Sequence, residues 1–219
     1  MIVLKLNVAI DGPAGAGKST IAKIVGERLN LMYINTGSMY RAVTLQALEN
    51  DIPPENIEAV CNLVKGLEMH FENDELILNG ENVNSQLTMP NISSNVSNYA
   101  SIREVRQVLV NLQRDMAKRF NVIMDGRDIG TVVLKDDANY KFFLTATPEE
   151  RANRRYKELM EKNIDVSYDN ILSDIIKRDY IDTHREVDPL KKALDAIEVD
   201  TTGLNIDEVV DVICKSIKL

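Results

Sequence analysis

KLNVAIDGPAGAGKST, residues 5–20, decides how the rest of the chain is read. Lys5 to Ile10 is a short apolar run of strand length. Gly12-Pro13-Ala14-Gly15-Ala16-Gly17-Lys18-Ser19 then matches the Walker A pattern at every fixed position. A helix follows over about Lys18 to Leu29, where Ile21, Ile24, Val25 and Leu29 recur on one face. Strand, glycine-rich turn and helix, in that order, make a phosphate cradle. Glycines let backbone N–H groups turn inward around phosphate oxygens, and the helix N-terminus adds partial positive charge. Gly12 through Ser19, with Thr20, are therefore expected to line an ATP site. Lys18 should reach the β- and γ-phosphates, and the Ser19 hydroxyl should ligate Mg²⁺.

Outward from this loop the pattern alternates strand and helix. Leu31 to Ile34 reads as a second strand and Ser38 to Asn50 as a helix, closed by Pro53-Pro54. From about Leu67 to Asn84 the character changes: MHF and LIL are strand-like runs separated by Asn73-Asp74, and Asn79-Gly80 suits a type I′ hairpin turn. A small antiparallel sheet is expected there. Alternation resumes with a helix over about Ile102 to Arg119, the strands VIMD (122–125) and YKFFL (140–144), and a last strand at Ile197 to Val199. Thr147-Pro148-Glu149-Glu150 predicts a helix start with a capping box, and Asn205 with Glu208 caps the terminal helix. The fold class is α/β: a five-stranded parallel sheet flanked by helices, with a small inserted subdomain.

The 219 residues suit one domain, 1–219, and 44% apolar content is enough for a core. A net charge of -8 argues against general affinity for nucleic acid, though a local basic pocket can still hold a small anion. No run approaches the roughly 20 apolar residues of a membrane span. The opening MIVLKLNVAI reads as a strand and not a signal peptide, which implies the cytoplasm; nothing suggests more than a monomer. Cys61 and Cys214 lack zinc spacing, and His70 and His184 suggest no metal site.

A triphosphate site does not name the reaction. The guanine-reading Asn-Lys-x-Asp of a GTPase is absent, and motor and transport ATPases are usually longer. Instead the chain carries further anion-binding candidates. Arg41 follows Tyr40, and Arg127 and Asp128 stand in the run DGRDIG. Arg151, Arg154 and Arg155 share a helix face, as do Arg178, Asp182 and Arg185 if that helix continues. Such groups suit a site that must neutralise two phosphates, because phosphoryl transfer rests on positioning and charge screening. Asp125 ends its strand where a Walker B acid would hold the metal through water; it reads equally as a turn or capping aspartate, and Asp11 shares the ambiguity.

AIDGPAGAGKST, NTGSMYRA, MDGRDIGTVV, RDYIDTHREVDPLKKA and IEVDTTGLNIDEVV, in this order over nearly the whole chain, closely resemble the bacterial-type cytidylate kinases. The resemblance implies a P-loop kinase that moves the γ-phosphate of MgATP to CMP or dCMP. It implies a monophosphate-binding region at 36–62, an inserted subdomain at 63–95, and a mobile lid at 151–166. Thr36, Tyr40 and Arg41 then match the start of the monophosphate-binding helix. Ser97 matches a position near the cytosine base, and Arg106 one near phosphate and base. Arg127 would contact phosphate, Asp128 the base region, and Arg178 with Asp182 the sugar hydroxyls, with Arg185 beside them. Arg151, Arg154 and Arg155 fall in or beside the lid. Two departures stand out. Asn35 replaces the frequent aspartate before the TG, touching a hydrogen bond near the acceptor or a metal-shell contact but not the reaction. Ser19-Thr20 follows Lys18 where some members have Gly-Thr, and Ser19 supplies the hydroxyl directly. The competing readings are a kinase for UMP, dTMP or AMP, a nucleotide-binding switch without turnover, and an inert P-loop remnant.

Overall fold

The computed structural model describes residues 5–218; the first residues of the opening run expected to be a strand lie outside them. In chain order the elements are β1 (Asn7–Asp11), α1 (Lys18–Leu29), β2 (Met32–Asn35), α2 (Thr36–Glu49) and α3 (Ile57–Lys65). The inserted strands β3 (Met69–Glu72), β4 (Glu75–Leu78) and β5 (Glu81–Asn82) follow, then α4 (Asn84–Leu87), α5 (Pro90–Ala100) and α6 (Arg103–Arg119). The chain ends with β6 (Val122–Gly126), a π-helical turn (Ile129–Val133), β7 (Tyr140–Thr145), α7 (Pro148–Glu161), α8 (Tyr168–His184), β8 (Ile197–Asp200) and α9 (Ile206–Ser216).

The main sheet is parallel with order β2-β6-β1-β7-β8, and the inserted sheet is antiparallel with order β3-β4-β5. β1 lies at the centre and is buried on both faces, which is why it reads as a continuous apolar run. Its register sets Ile10 beside Asp125 and Asp11 beside Gly126, while Asn35 of β2 also faces Asp125. The carboxyl ends of three neighbouring strands therefore deliver polar residues to one edge, where ligands bind in sheets of this kind.

Four cores hold the layers. Val8, Ile10, Ile21, Val25, Phe142 and Ile213 join one sheet face to α1 and α9. Ala9, Ile34, Val110, Met124 and Val133 join the other to α6 and the π-helical turn. The inserted region has its own core, from Met39 and Val43 through Leu76 and Tyr99 to Leu109, so its packing runs past residue 95. α7 and α8 share a fourth, built on Ala152, Leu159, Ile171 and Ile175.

The hairpin turn read at Asn79-Gly80 forms, and Asn73-Asp74 makes a second one between its two runs; both pairs have positive φ at both positions, as type I′ geometry requires. The structure also accounts for the asparagines of the insert. The Asn79 side chain accepts from Glu68 N, and Asn84 bonds both the N–H and the carbonyl of Leu76. Three helices, α3, α4 and α5, lie where the sequence pattern gave no element. The capping box expected at Thr147 is half formed. Thr147 accepts from Glu150 N at 3.2 Å, but the Glu150 carboxylate turns to Arg154 Nε. At Asn205 and Glu208 both halves are present.

Gly12 shows why the loop demands glycine. Its φ is +149°, and a Cβ there would stand 2.1 Å from the Leu144 carbonyl oxygen of β7. Gly12→Ala must push the loop off the sheet. It should lower the melting temperature by roughly 4–12 °C, the equivalent of about 2–3 kcal/mol of overpacking, and weaken ATP binding. Calorimetry checks this; a variant melting with the wild type would show that the close approach is not needed.

Candidate functional site

A cleft of about 980 Å³ opens over the carboxyl edge of the main sheet. The loop 12–19 forms one side, with Gly15 and Gly17 at positive φ. Lys18 Nζ lies back over the loop and donates to Pro13 O at 2.7 Å. Burial, and then the charge of Arg127, hold its pKa well below the usual lysine value. Ser19 Oγ donates to Asp125 Oδ2 at 2.8 Å, Tyr33 OH to Asp125 Oδ1 at 2.9 Å, and Thr36 Oγ1 to the Asp125 carbonyl at 2.7 Å. Asp125 thus caps no turn; it faces the serine of the phosphate loop. Asp11 differs. Its two oxygens accept from Ile129 N at 2.8 Å and Gly130 N at 2.7 Å, so it anchors the π-helical turn behind Arg127 and Asp128. Burial pushes its carboxyl up to about 7, against the pull of those N–H groups.

The opposite end of the cleft is a knot of arginines. Asp182 Oδ1 accepts from Ser97 Oγ at 2.9 Å and its Oδ2 from Arg127 Nε at 2.8 Å. Burial alone would raise the Asp182 carboxyl, but Arg127, Arg178 and Arg185 outweigh it and hold the pKa below the usual range. Arg106, 1% exposed, lies 5.3 Å above the Tyr40 ring and bonds Asp128, Asp188 and the Ala100 carbonyl. Arg41 and Arg178 are different again: the buried Nε of each has no partner. Burial first, then neighbouring cations, bring Arg41 down to about 10 and Arg178 to about 9. For Arg41 those neighbours are Arg155 and Arg127, and for Arg178 they are Arg41 and Arg127. Positive charge is in excess at one point of the cleft, which is the signature of an anion site.

The three arginines expected to act together on α7 go separate ways. Arg151 is buried behind the phosphate loop, donating to Ala146 O and Ala14 O at 2.9 Å and pairing with Asp179 at 2.7 Å. Arg154 lines the cleft and is held by Thr201, while Arg155 also lines it, bonding Thr88 O and Glu158. α8 runs through Arg178 and Asp182 and ends at His184, with Arg185 as its C-cap, so the second trio does reach one site. Asn35 proves to be the N-cap of α2, its Oδ1 accepting from Ser38 N at 3.0 Å. Asparagine caps a helix as well as aspartate does, so the exchange keeps the cap of α2. The sequence reading missed Tyr33, Asp179, Asp188 and Thr201, each of which bonds a predicted residue. His70 pairs with Glu72 on an exposed strand, and His184 stacks on Tyr180. Among the described residues no cluster of His, Cys, Asp and Glu could hold a metal by itself, and no helix is long and apolar enough to cross a membrane.

A family profile described as cytidylate kinase matches residues 8–219. The chain is 73% identical over 206 residues to a cytidylate kinase of Clostridium perfringens, covering 94% of each protein. It is 62% identical over 214 residues to a cytidylate kinase of Clostridium acetobutylicum, covering 98% of each. Among solved structures, a shikimate kinase from Bacteroides thetaiotaomicron superposes with a TM-score of 0.50 at 13% identity, over 98% of this chain and 99% of that one. That likeness is one of fold.

If the unpaired arginines mark an anion site, sulfate at constant ionic strength should raise the melting temperature. Saturation at a hundred times Kd is worth about 2.7 kcal/mol, roughly 5–10 °C for a chain of this size. Arg178→Met should melt no lower than the wild type without sulfate and should lose most of the shift. An unchanged shift in that variant would contradict the reading.

Proposed function

The chain belongs to the cytidylate kinase family, and we propose on that basis that it transfers the γ-phosphate of ATP to CMP or dCMP, giving ADP and CDP or dCDP. The observation that carries the reading is the division of one cleft into two phosphate-binding ends. The glycine loop and Lys18 form the donor end. Arg41, Arg127 and Arg178 converge on the acceptor end with more positive charge than their aspartates neutralise.

Between these ends the chemistry is direct in-line transfer. A monophosphate is already an anionic nucleophile near neutral pH, so its oxygen can attack the γ-phosphorus without a strong general base. Lys18 leaves Pro13 O for the donor phosphates, and the arginines balance the charge spread over the transferring group. Ser97, Asp182 and Arg178 lie where the nucleoside sugar and base would rest. Arg106, Asp128 and Arg185 form the wall beside them. Arg154 and Arg155 are the arginines placed to meet the transferring phosphate, and Arg151 supports the loop from behind.

The residues also fit a magnesium ion. Mg²⁺ is commonly held by one or two protein oxygens together with substrate phosphates, and the hard-oxygen pair Ser19 and Asp125 is of that kind. The Ser19 hydroxyl donates its hydrogen bond to Asp125, which leaves the Oγ lone pairs for the metal. When bound there, Mg²⁺ would supply neutralisation of the donor oxygens.

Two bodies are assigned to closure: the region beginning at residue 36, and the lid at 151–166, made of most of α7 and the turn after it. The core that holds α7 on α8 is separate from those of the sheet, whereas the core of the region from residue 36 shares α6 with the sheet. Closure excludes water, so ATP should be hydrolysed slowly when no acceptor is bound.

A coupled assay of ADP release with MgATP and a panel of CMP, dCMP, UMP, dTMP and AMP tests the assignment. Turnover should be fast with CMP and dCMP, low with the others, and lower still without acceptor. Arg127→Ala should reduce kcat/KM for CMP by roughly 10²–10³-fold. Turnover with another monophosphate alone would overturn the specificity, and binding without turnover would favour a switch.

A further inference from the structure

Asp188 lies in the loop after α8 and carries the most unusual backbone near the site. Its φ is +48°, in the left-handed region, and Pro189 follows it, although a residue before proline ordinarily takes extended backbone. Such a conformation persists where surrounding contacts over-determine it. Here they are two arginines. Arg106 Nε donates to Asp188 Oδ2 at 3.0 Å, and Arg185 Nε donates to the Asp188 carbonyl at 2.8 Å, joined by a second Arg185 nitrogen. Arg106 also pairs with Asp128, and Arg185 lies 3.5 Å from the other oxygen of Asp128. The four residues close a ring, with three links between opposite charges and the fourth through the Asp188 carbonyl, that joins α6, the loop after β6 and the end of α8.

The division of contacts within the ring is specific. Asp128 and Asp188 take different nitrogens of Arg106, and Ala100 O takes the third at 3.2 Å, so the plane of the guanidinium is fixed. Each terminal nitrogen keeps a second N–H for a ligand. Asp188 itself is absent from the cleft lining, whereas Arg106, Asp128 and Arg185 all belong to it. Remove its carboxylate, and Arg106 can rotate to use Asp128 alone.

We propose that Asp188 is a positioning residue for the acceptor nucleotide: it sets the orientation of Arg106 and, through its carbonyl, of Arg185. The inference rests on the proposed kinase reading. Its effect is confined to the acceptor end, because neither arginine touches the glycine loop.

The test is steady-state kinetics of Asp188→Ala, Asp188→Asn and Asp188→Gly with CMP and ATP varied separately, alongside melting temperatures. Asp188→Ala should raise KM for CMP roughly tenfold or more, the loss of one charge-assisted bond, and leave KM for ATP within about twofold. Asp188→Asn keeps one acceptor oxygen and should restore part of the loss. Asp188→Gly accepts the left-handed backbone without strain, so it separates the carboxylate from the turn: it should melt at least as high as Asp188→Ala and still lose CMP affinity. Wild-type KM for CMP in the glycine variant, or equal changes in both KM values, would overturn the proposal. If the alanine variant fails to fold, the asparagine and glycine variants decide the same question. A wild type that is inactive on CMP would instead remove the kinase reading, and this inference with it.

Discussion

Half-buried guanidinium groups that line one cleft without ion-pair partners are the constraint round which this molecule is arranged. Arg41 and Arg178 are half-buried, and the enclosed Nε of each loses its hydration without gaining a hydrogen bond in return. Their aspartate neighbours do not cancel the charge, because Asp182 is already shared between Ser97 and Arg127. A fold keeps so costly an arrangement where a ligand completes it. The parallel sheet then has a clear purpose. It brings the carboxyl ends of β1, β2 and β6 to one edge, while α2, α6 and α8 deliver arginines from three directions.

Asp125 is the junction between the two halves of this arrangement. Its carboxylate receives Ser19 from the phosphate loop and Tyr33 from β2, and its carbonyl receives Thr36 at the start of α2. Asp11 makes the corresponding link from the central strand to the turn behind Arg127. Both acids are buried strand-end residues one place apart in the register of neighbouring strands, yet one faces a hydroxyl at the phosphate loop and the other clamps backbone. Position on the sheet edge, rather than residue type, separates their roles.

That distinction explains what could be read from the sequence. The loop 12–19 was legible because its demands fall on backbone: glycines at special φ, then a helix whose observed limits match the apolar spacing of Ile21, Val25 and Leu29. The hairpin turns were legible for the same reason. Helix α5 was not, since SSNVSN is rich in residues that favour turns. Its spacing of Ile92, Val96 and Tyr99 did carry a helical signal, and those three lie on its buried face with Ser93, Ser97 and Ala100. Arg151 was legible as a cation but not as a support for the loop, because Asp179 and the Ala14 carbonyl meet it only in three dimensions. Asp188 gave no sign at all; an acidic residue before a proline looks like any surface turn.

The division into separate cores bears on how the protein comes apart. α7 and α8 are held together by a small core of Ala152, Leu159, Ile171 and Ile175, while β1 is buried on both faces. Opening the helical pair exposes little apolar surface compared with breaking the sheet, so the two events belong to different free-energy levels. Amide hydrogens in α7 and α8 should therefore exchange through a sub-global opening that leaves β1 protected. The proposed lid lies within that helical pair, and a bound nucleotide that bridges it to the sheet would merge the two levels into one.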